Sequence, residues 1–298
     1  MSAPRPVRPD ARLVLVAGAG RLPEQVAHSL DRAGRAFKVL ALRGFTDRAL
    51  RARADATVDL LDVGETLRIL GGWGPATVVP AGGVARPSPA AILNAAAAFR
   101  NRVALRNLAE GGDDRLLRGA LALLEENGHT VCGVHEVAPD LLSPAGAIGR
   151  HGPDAAGEAS IATGRAVLVA LSAFDVGQAV VVAADRVLAV EGPEGTDRML
   201  ARARALGRKP WDLLPWDLLP WGRTRPLPAT VLVKCAKDGQ DLRIDLPAIG
   251  PRTIRNAAAA GCVGLAVEAG RTLLIDRANT VAEADRLGLF LVGIEGGA

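Results

Sequence analysis

What this chain lacks narrows its chemistry first. Aromatic residues make up only 3% of its 298 residues, too few for the stacking platforms that bind single-stranded nucleic acid, so no nucleic-acid partner is expected. Its three cysteines, Cys132, Cys235 and Cys262, have no close spacing, which argues against a disulfide framework or a zinc site and for reduced thiols in a cytosolic protein. Residues 1–12 are polar and proline-rich without an apolar core region, so no secretory signal is expected. No uninterrupted apolar run is long enough to span a bilayer. Cys-His and Ser-His pairings, a GxxxxGK[ST] loop and His-x-His spacing are all missing, which removes the usual signs of covalent catalysis, a P-loop and a histidine metal site.

What is present is an ordinary globular composition, 49% hydrophobic and 23% charged with a formal net charge of +4, in a chain long enough for two domains. The apolar run 13–17 enters a glycine turn, Gly18-Ala19-Gly20-Arg21-Leu22-Pro23, which opens a helix running to about 33–34; a strand at 37–42 completes a βαβ unit with a parallel sheet. Pro23 stands where a dinucleotide fingerprint needs its third glycine, which weighs against a dinucleotide-dependent oxidoreductase. Backbone amides at such a helix start can hold a phosphate, so Gly18, Gly20 and Arg21 are site candidates, with a plain tight turn as the competing explanation. A helix at 63–70 leads to a strand at 76–80 and a second glycine turn, adding Gly82, Gly83 and Arg86; ligands of open α/β sheets bind beside such strand ends.

A helix is expected at 89–100 and another at 115–127, with Asp113 and Asp114 before it as caps or binding groups. A strand at 130–137 would carry His135-Glu136, taken as a structural pair. The Pro/Gly-rich stretch 143–153 is the expected interdomain linker, separating a Rossmann-like domain (1–145) from a second α/β domain (153–298).

In the second half a helix at 154–172 precedes a hairpin, 179–183 and 187–190, turned at Asp185-Arg186. Glu191-Gly192-Pro193-Glu194-Gly195-Thr196-Asp197 then forms an acidic loop before a basic helix, 198–208. Thr196 is expected as the N-cap of that helix, which leaves both glutamates without an explanation. A tandem repeat, Trp211-Asp212-Leu213-Leu214-Pro215 and Trp216-Asp217-Leu218-Leu219-Pro220, reads as a surface loop whose tryptophans suit a membrane interface or an acyl chain.

The most informative stretch follows the apolar run 231–233. Two lysines, an amide, an arginine and three carboxylates are packed between Lys234 and Asp245, before a Leu-Pro and a glycine that bar a long helix. If 241–245 is extended, Asp241, Arg243 and Asp245 share one face, a pattern suited to an anionic substrate held through a metal. A helix at 253–260, a strand pair 264–267 and 272–275 about a turn, a helix at 280–287 and a strand at 290–294 finish the domain. The chemistry that fits best is hydrolysis of a phosphate anhydride by metal-activated water, since Mg²⁺ prefers oxygen ligands and keeps waters.

The motifs at 13–23 (LVLVAGAGRLP), 82–87, 112–114, 135–137, 175–178, 189–197 (AVEGPEGTD) and 234–254 (KCAKDGQDLRIDLPAIGPRTI) occur in an order that resembles the LpxI-type UDP-2,3-diacylglucosamine diphosphatases. The resemblance implies hydrolysis of UDP-2,3-diacylglucosamine to UMP and 2,3-diacylglucosamine 1-phosphate in lipid A biosynthesis, with a divalent metal, expected to be Mg²⁺, and with the lipid held in a cleft between an N-terminal Rossmann-like and a C-terminal catalytic domain. It implies a protein of the cytoplasm that works at the inner-membrane surface, with a homodimer as one allowed assembly. It places the key aspartate at Asp245, binding metal or orienting water, with Asp241 beside it. Lys234, Lys237 and Arg243 would neutralise phosphate charge, Gln240 would lie beside them, Gly195, Thr196 and Asp197 would line the phosphoglucosamine site, and Gln178 would meet the sugar. Two departures stand out: the family's Lys-Pro is Lys237-Asp238 here, and the tryptophan repeat replaces a polar connector. A binding protein that regulates without cleaving is the remaining rival.

Overall fold

The computed structural model describes residues 12–84, 113–174, 176–207, 229–237 and 239–296. The helix expected at 89–100, Arg86, Asp175, Asp238 and the tryptophan repeat lie outside these residues. The chain divides into two compact units, one ending at Asp140 and taking back Leu242–Ile244, the other holding the remainder. Elements are numbered in chain order among the described residues.

The first unit is built on five short apolar strands: β1 (Leu13–Ala17), β2 (Phe37–Leu42), β3 (Ala56–Val58), β4 (Thr77–Ala81) and β5 (Thr130–Val131). They form one parallel sheet in the order β3-β2-β1-β4-β5. Parallel strands need crossovers, and α1 (Leu22–Arg32), α2 (Arg48–Arg51), α3 (Val63–Trp73) and α4 (Asp113–Glu126) lie along those connections. Pro23 and Glu24 open α1 and Arg32 closes it, as its backbone dipole favours. The Asp62 side chain accepts from Glu65 N at the start of α3. One face of the sheet packs Val14, Leu40, Leu42, Val58 and Val78 against Leu70 of α3. Strand order reverses between β1 and β4, and both glycine turns follow those two strands.

The second unit holds a six-stranded mixed sheet. Its strands are β6 (Gly146–Ala147), β7 (Ala179–Ala183), β8 (Arg186–Val190), β9 (Thr230–Lys234), β11 (Gly264–Glu268) and β13 (Phe290–Ile294), in the order β6-β13-β11-β9-β7-β8. The central β9, β11 and β13 run parallel; β6, β7 and β8 pair antiparallel. A separate parallel pair joins β10 (Ala248–Ile249) to β12 (Leu273–Leu274). Alternation along β9 feeds two cores. Val231 and Val233 pack with Leu168 of α6 (Ala155–Ser172), while Leu232 packs with Met199 and Leu200 of α7 (Thr196–Gly207) and Ile254 and Ala257 of α8 (Pro251–Ala259). Ala284 of α9 (Arg277–Arg286) joins the latter core. The central strands are therefore apolar on both faces, as a sheet covered on both sides requires. Gly164 of α6 lies so close to β9 that a Cβ there would meet Val233 Cγ2 at 2.5 Å.

Four local expectations are corrected. Residues 130–137 are not one strand: β5 ends at Val131, and α5 (Val134–Val137) follows, because Glu136 Oε1 accepts from Gly133 N at 2.7 Å and caps the turn. Glu136 is thereby structural. Part of the expected linker, 143–153, is tied into the second unit. Ser143 N donates to Thr272 O at 2.8 Å and β6 adds an antiparallel edge to β13, a position where glycine and proline are tolerated. β12 does not form a hairpin with β11; Leu273 N donates to Pro247 O instead. Finally, 241–245 is not extended: Leu242–Ile244 form a turn, closed by Asp245 N donating to Asp241 O at 3.2 Å.

Candidate active site

Acids and amides of the second unit meet where β7 begins and β8 and β9 end. Gln178 immediately precedes β7, Glu191 immediately follows β8, and Lys234 is the last residue of β9. Antiparallel pairing aligns these ends: Ala179 lies opposite Lys234 and Val180 opposite Val190. The three side chains therefore arrive at one edge of the sheet as a consequence of strand register.

Lys234 faces the side on which α7 begins. Its Nζ donates to Thr196 Oγ1 at 2.8 Å, and that hydroxyl donates to Glu191 Oε1 at 2.6 Å. Thr196 is the first residue of α7 and Gly195 accepts from Met199 N, so the threonine hydroxyl serves Lys234 and Glu191 rather than the helix cap expected of it. Glu191 Oε2 accepts from Gln178 N at 3.0 Å, and Gln178 Nε2 donates to Asp245 Oδ2 at 2.8 Å. Gln240 Nε2 also donates to that oxygen and to the Asp245 carbonyl, while its own Oε1 accepts from Lys237 N at 2.8 Å. One continuous chain of hydrogen bonds thus runs from Lys234 through Thr196, Glu191 and Gln178 to Asp245 and Gln240.

The two ends of that chain differ in exposure. Asp245 is exposed, whereas Lys234 is buried. Burial pushes the Lys234 ammonium below its usual range, and Glu191, then Asp245 and Asp197, oppose that shift. The buried ammonium is thus the cation of a site whose neighbouring carboxylates, Glu191, Asp245 and Asp197, offset the cost of its desolvation. Asp197 itself is held by Asn256 Nδ2 at 2.9 Å and by Arg252 Nη2 at 2.8 Å. Arg243 groups with the first unit, where its Nη1 pairs with Glu125 Oε1 at 2.7 Å. The turn separates its side chain from the face that an extended strand would have given it.

The glycine turns of the first unit have a different explanation from phosphate binding. Gly18 N donates to Ala81 O at 2.8 Å, Ala19 N to Gly83 O at 2.7 Å, and Gly83 N to Ala19 O at 3.0 Å. A Cβ on Gly18 would sit 2.7 Å from Gly83 O, and one on Gly82, whose φ is +90°, would sit 2.6 Å from Ala19 O. The two turns need glycine because their backbones pack on each other. Two amides that a dinucleotide phosphate would use are already taken. Gly20 and the exposed Arg21 remain at the start of α1. Asp113 and Asp114 open α4, with side chains outside those described.

Cys235, next to Lys234, is not a nucleophile at neutral pH, since burial first and then Glu268 push its thiol up to about 12. A divalent metal has a more limited fit. Among the described residues no three His, Cys, Asp or Glu side chains gather as a ready metal cluster. Glu191 and Asp197 have both oxygens engaged by protein donors. Asp245 is exposed, with Asp241 bonded to it across the turn. Mg²⁺ commonly binds through one or two carboxylates plus waters and substrate phosphate oxygens, a mode in which the exposed Asp245 carboxylate would be one ligand; its link to Asp241 is between backbones. Glu191 is the residue sequence reasoning left out; its only signal was an acid at a strand end that no cap explained.

Together these features define a two-unit α/β protein with an acid-amide-lysine centre at the strand ends of its second unit. Residues 12–141 match the LpxI N-terminal domain and residues 144–292 the LpxI C-terminal domain. The chain is also 38% identical over 284 residues to a UDP-2,3-diacylglucosamine pyrophosphatase LpxI of Caulobacter vibrioides, covering 95% of this chain and 98% of that protein. It belongs to the LpxI family.

Proposed function

We propose that this protein hydrolyses the pyrophosphate bond of UDP-2,3-diacylglucosamine, giving UMP and 2,3-diacylglucosamine 1-phosphate for lipid A biosynthesis. The observation that carries the reading is Asp245: exposed, held at Oδ2 by the Gln178 and Gln240 amides, and linked through Glu191 and Thr196 to buried Lys234. The 38% identity to a protein named for that activity supports the same substrate.

In this reading two amide donors fix the Asp245 carboxylate so that it meets water or metal in one orientation. Lys234 supplies positive charge where the anhydride oxygens gather negative charge as the P–O bond breaks. Water contributes the new P–O bond, the bridging P–O bond breaks, and the departing phosphate takes the electron pair. Mg²⁺ held by Asp245 and Asp241 would offset phosphate charge and acidify bound water. Among the described residues no helix is long and apolar enough to cross a membrane. We infer that the lipid is met in the cytoplasm at the inner-membrane face.

Incubating the purified protein with UDP-2,3-diacylglucosamine tests this directly. UMP should appear with Mg²⁺, stop with chelator, and be absent with Asp245→Ala while that variant still folds and binds the lipid. Binding without UMP release would favour a regulator instead. Reaction in ¹⁸O-water would place the label on UMP or on the sugar phosphate and so identify the attacked phosphorus.

A further inference from the structure

The acidic loop between β8 and α7 contains two glutamates with different fates. Glu194 Oε1 pairs with Arg202 at 2.7 Å, which anchors the loop to α7. Glu191 is only 8% exposed and turns both oxygens inward. Its backbone is pinned as well: N donates to Ala179 O at 2.9 Å, and a Cβ on Gly177 would meet Glu191 O at 2.1 Å.

Hydrogen-bond direction gives Glu191 its significance. A threonine hydroxyl has one proton. Thr196 gives it to Glu191 Oε1 at 2.6 Å, so its 2.8 Å contact with Lys234 runs from the ammonium to a hydroxyl lone pair. Glu191 therefore sets which way the hydroxyl faces, and the hydroxyl sets one N–H of Lys234. The second oxygen takes the backbone N–H of Gln178, the residue whose side chain reaches Asp245. A single buried carboxylate orients both arms of the site.

We propose that Glu191 is a positioning residue: it touches no substrate, and by accepting from Thr196 and Gln178 together it holds Lys234 and the Gln178 amide in register with Asp245. This rests on the hydrolase reading above.

Glu191→Gln is the informative change. It keeps the size of the side chain but leaves one oxygen acceptor where two are needed, so one arm must lose its partner. With Mg²⁺ and UDP-2,3-diacylglucosamine, kcat should fall about tenfold to a hundredfold, the usual scale for outer supporting groups. KM should stay within about threefold, because the lost alignment acts on the reacting centre and not on uniform binding. Glu191→Asp keeps two acceptors on a shorter stem and should recover part of kcat. Thr196→Val cuts the Lys234 arm alone, and combining it with Glu191→Gln should cost less than the product of the two separate losses.

Wild-type kcat in Glu191→Gln, a loss confined to KM, or fully multiplicative effects with Thr196→Val would each overturn the proposal. Should Glu191→Gln fail to fold, Thr196→Val decides alone: lowered kcat at unchanged KM supports the positioning chain, and unchanged kcat ends it. If the wild-type protein itself releases no UMP, both the hydrolase reading and this role fall. A UMP-releasing wild type beside an unaffected Glu191→Gln removes only the role of Glu191.

Discussion

Gln178 and Asp245 lie sixty-seven residues apart in the chain and meet through a 2.8 Å hydrogen bond from Nε2 to Oδ2. Gln178 sits at the open end of the β7–β8 hairpin and Asp245 closes a turn, so the bond ties the turn to the sheet. Gln178→Leu keeps the bulk and removes the donor, and should lower UMP release about tenfold. Gln178→Glu should do something different. A second carboxylate against Asp245 adds like-charge repulsion at the site, so UMP release should fall further than in Gln178→Leu. Measuring UMP release for both variants separates lost orientation from added charge; equal losses would refute the electrostatic part.

The packed glycine turns predict a stability effect without chemistry. Gly18→Ala places a methyl 2.7 Å from Gly83 O, a backbone atom that cannot swing aside. Overpacking of this kind costs about 1–3 kcal/mol. Gly83→Ala, which meets nothing within 4 Å, should cost much less. Comparing melting midpoints of the two variants checks the backbone contact; equal midpoints would show that the turns can separate.

Much of the framework was legible because it depends on local rules. The apolar runs 13–17, 37–42, 179–183 and 290–294 are strands with the expected bounds, since uninterrupted short apolar segments between turn residues have few other solutions. The short α2 and β3 escaped notice because four and three residues carry too little period. The Pro/Gly-rich stretch 143–153 contains the edge strand β6, and composition does not distinguish a linker from a sheet edge. In the site, Asp245 and Lys234 stand out in the sequence within a dense charged stretch, whereas Gln178 and Thr196 enter as site residues only through the family resemblance. Their connection is not legible: it passes through Glu191, and only strand register brings a residue after β8 against one before β7. The shared face of Asp241, Arg243 and Asp245 follows only for an extended segment, and a closed turn, not a two-residue alternation, governs 241–245.

The cysteines should behave as inert, protonated thiols. Burial pushes Cys132 to about 11, with Glu136 adding to it, and Cys262 to about 12. A thiol-specific chromogenic reagent at pH 8 should therefore react slowly with the native protein and fast with all three cysteines after denaturation. Rapid native labelling of Cys262 would contradict its burial.

Lys234 gives the prediction with a definite sign. Burial lowers its pKa in the folded protein below that of the unfolded chain. Between those two values the unfolded state binds the proton that the folded state has released, so stability rises with pH. Below both values the protein carries the cost of a desolvated ammonium, reduced by Glu191, Asp245 and Asp197. Lys234→Met retains the apolar stem and removes the charge, so its stability should lose this pH dependence. The melting difference between wild type and variant should therefore shift in favour of wild type as pH rises towards 10.5, the ordinary lysine value. Activity should move the opposite way: without the ammonium, nothing replaces the positive charge at the end of the Thr196–Glu191 chain, and UMP release should fall by about a hundredfold. Scanning melting midpoints and UMP release from pH 7 upward tests both halves: an equally active variant would show that Lys234 is not used in the reaction, and an unchanged stability slope would show that its pKa is not lowered on folding.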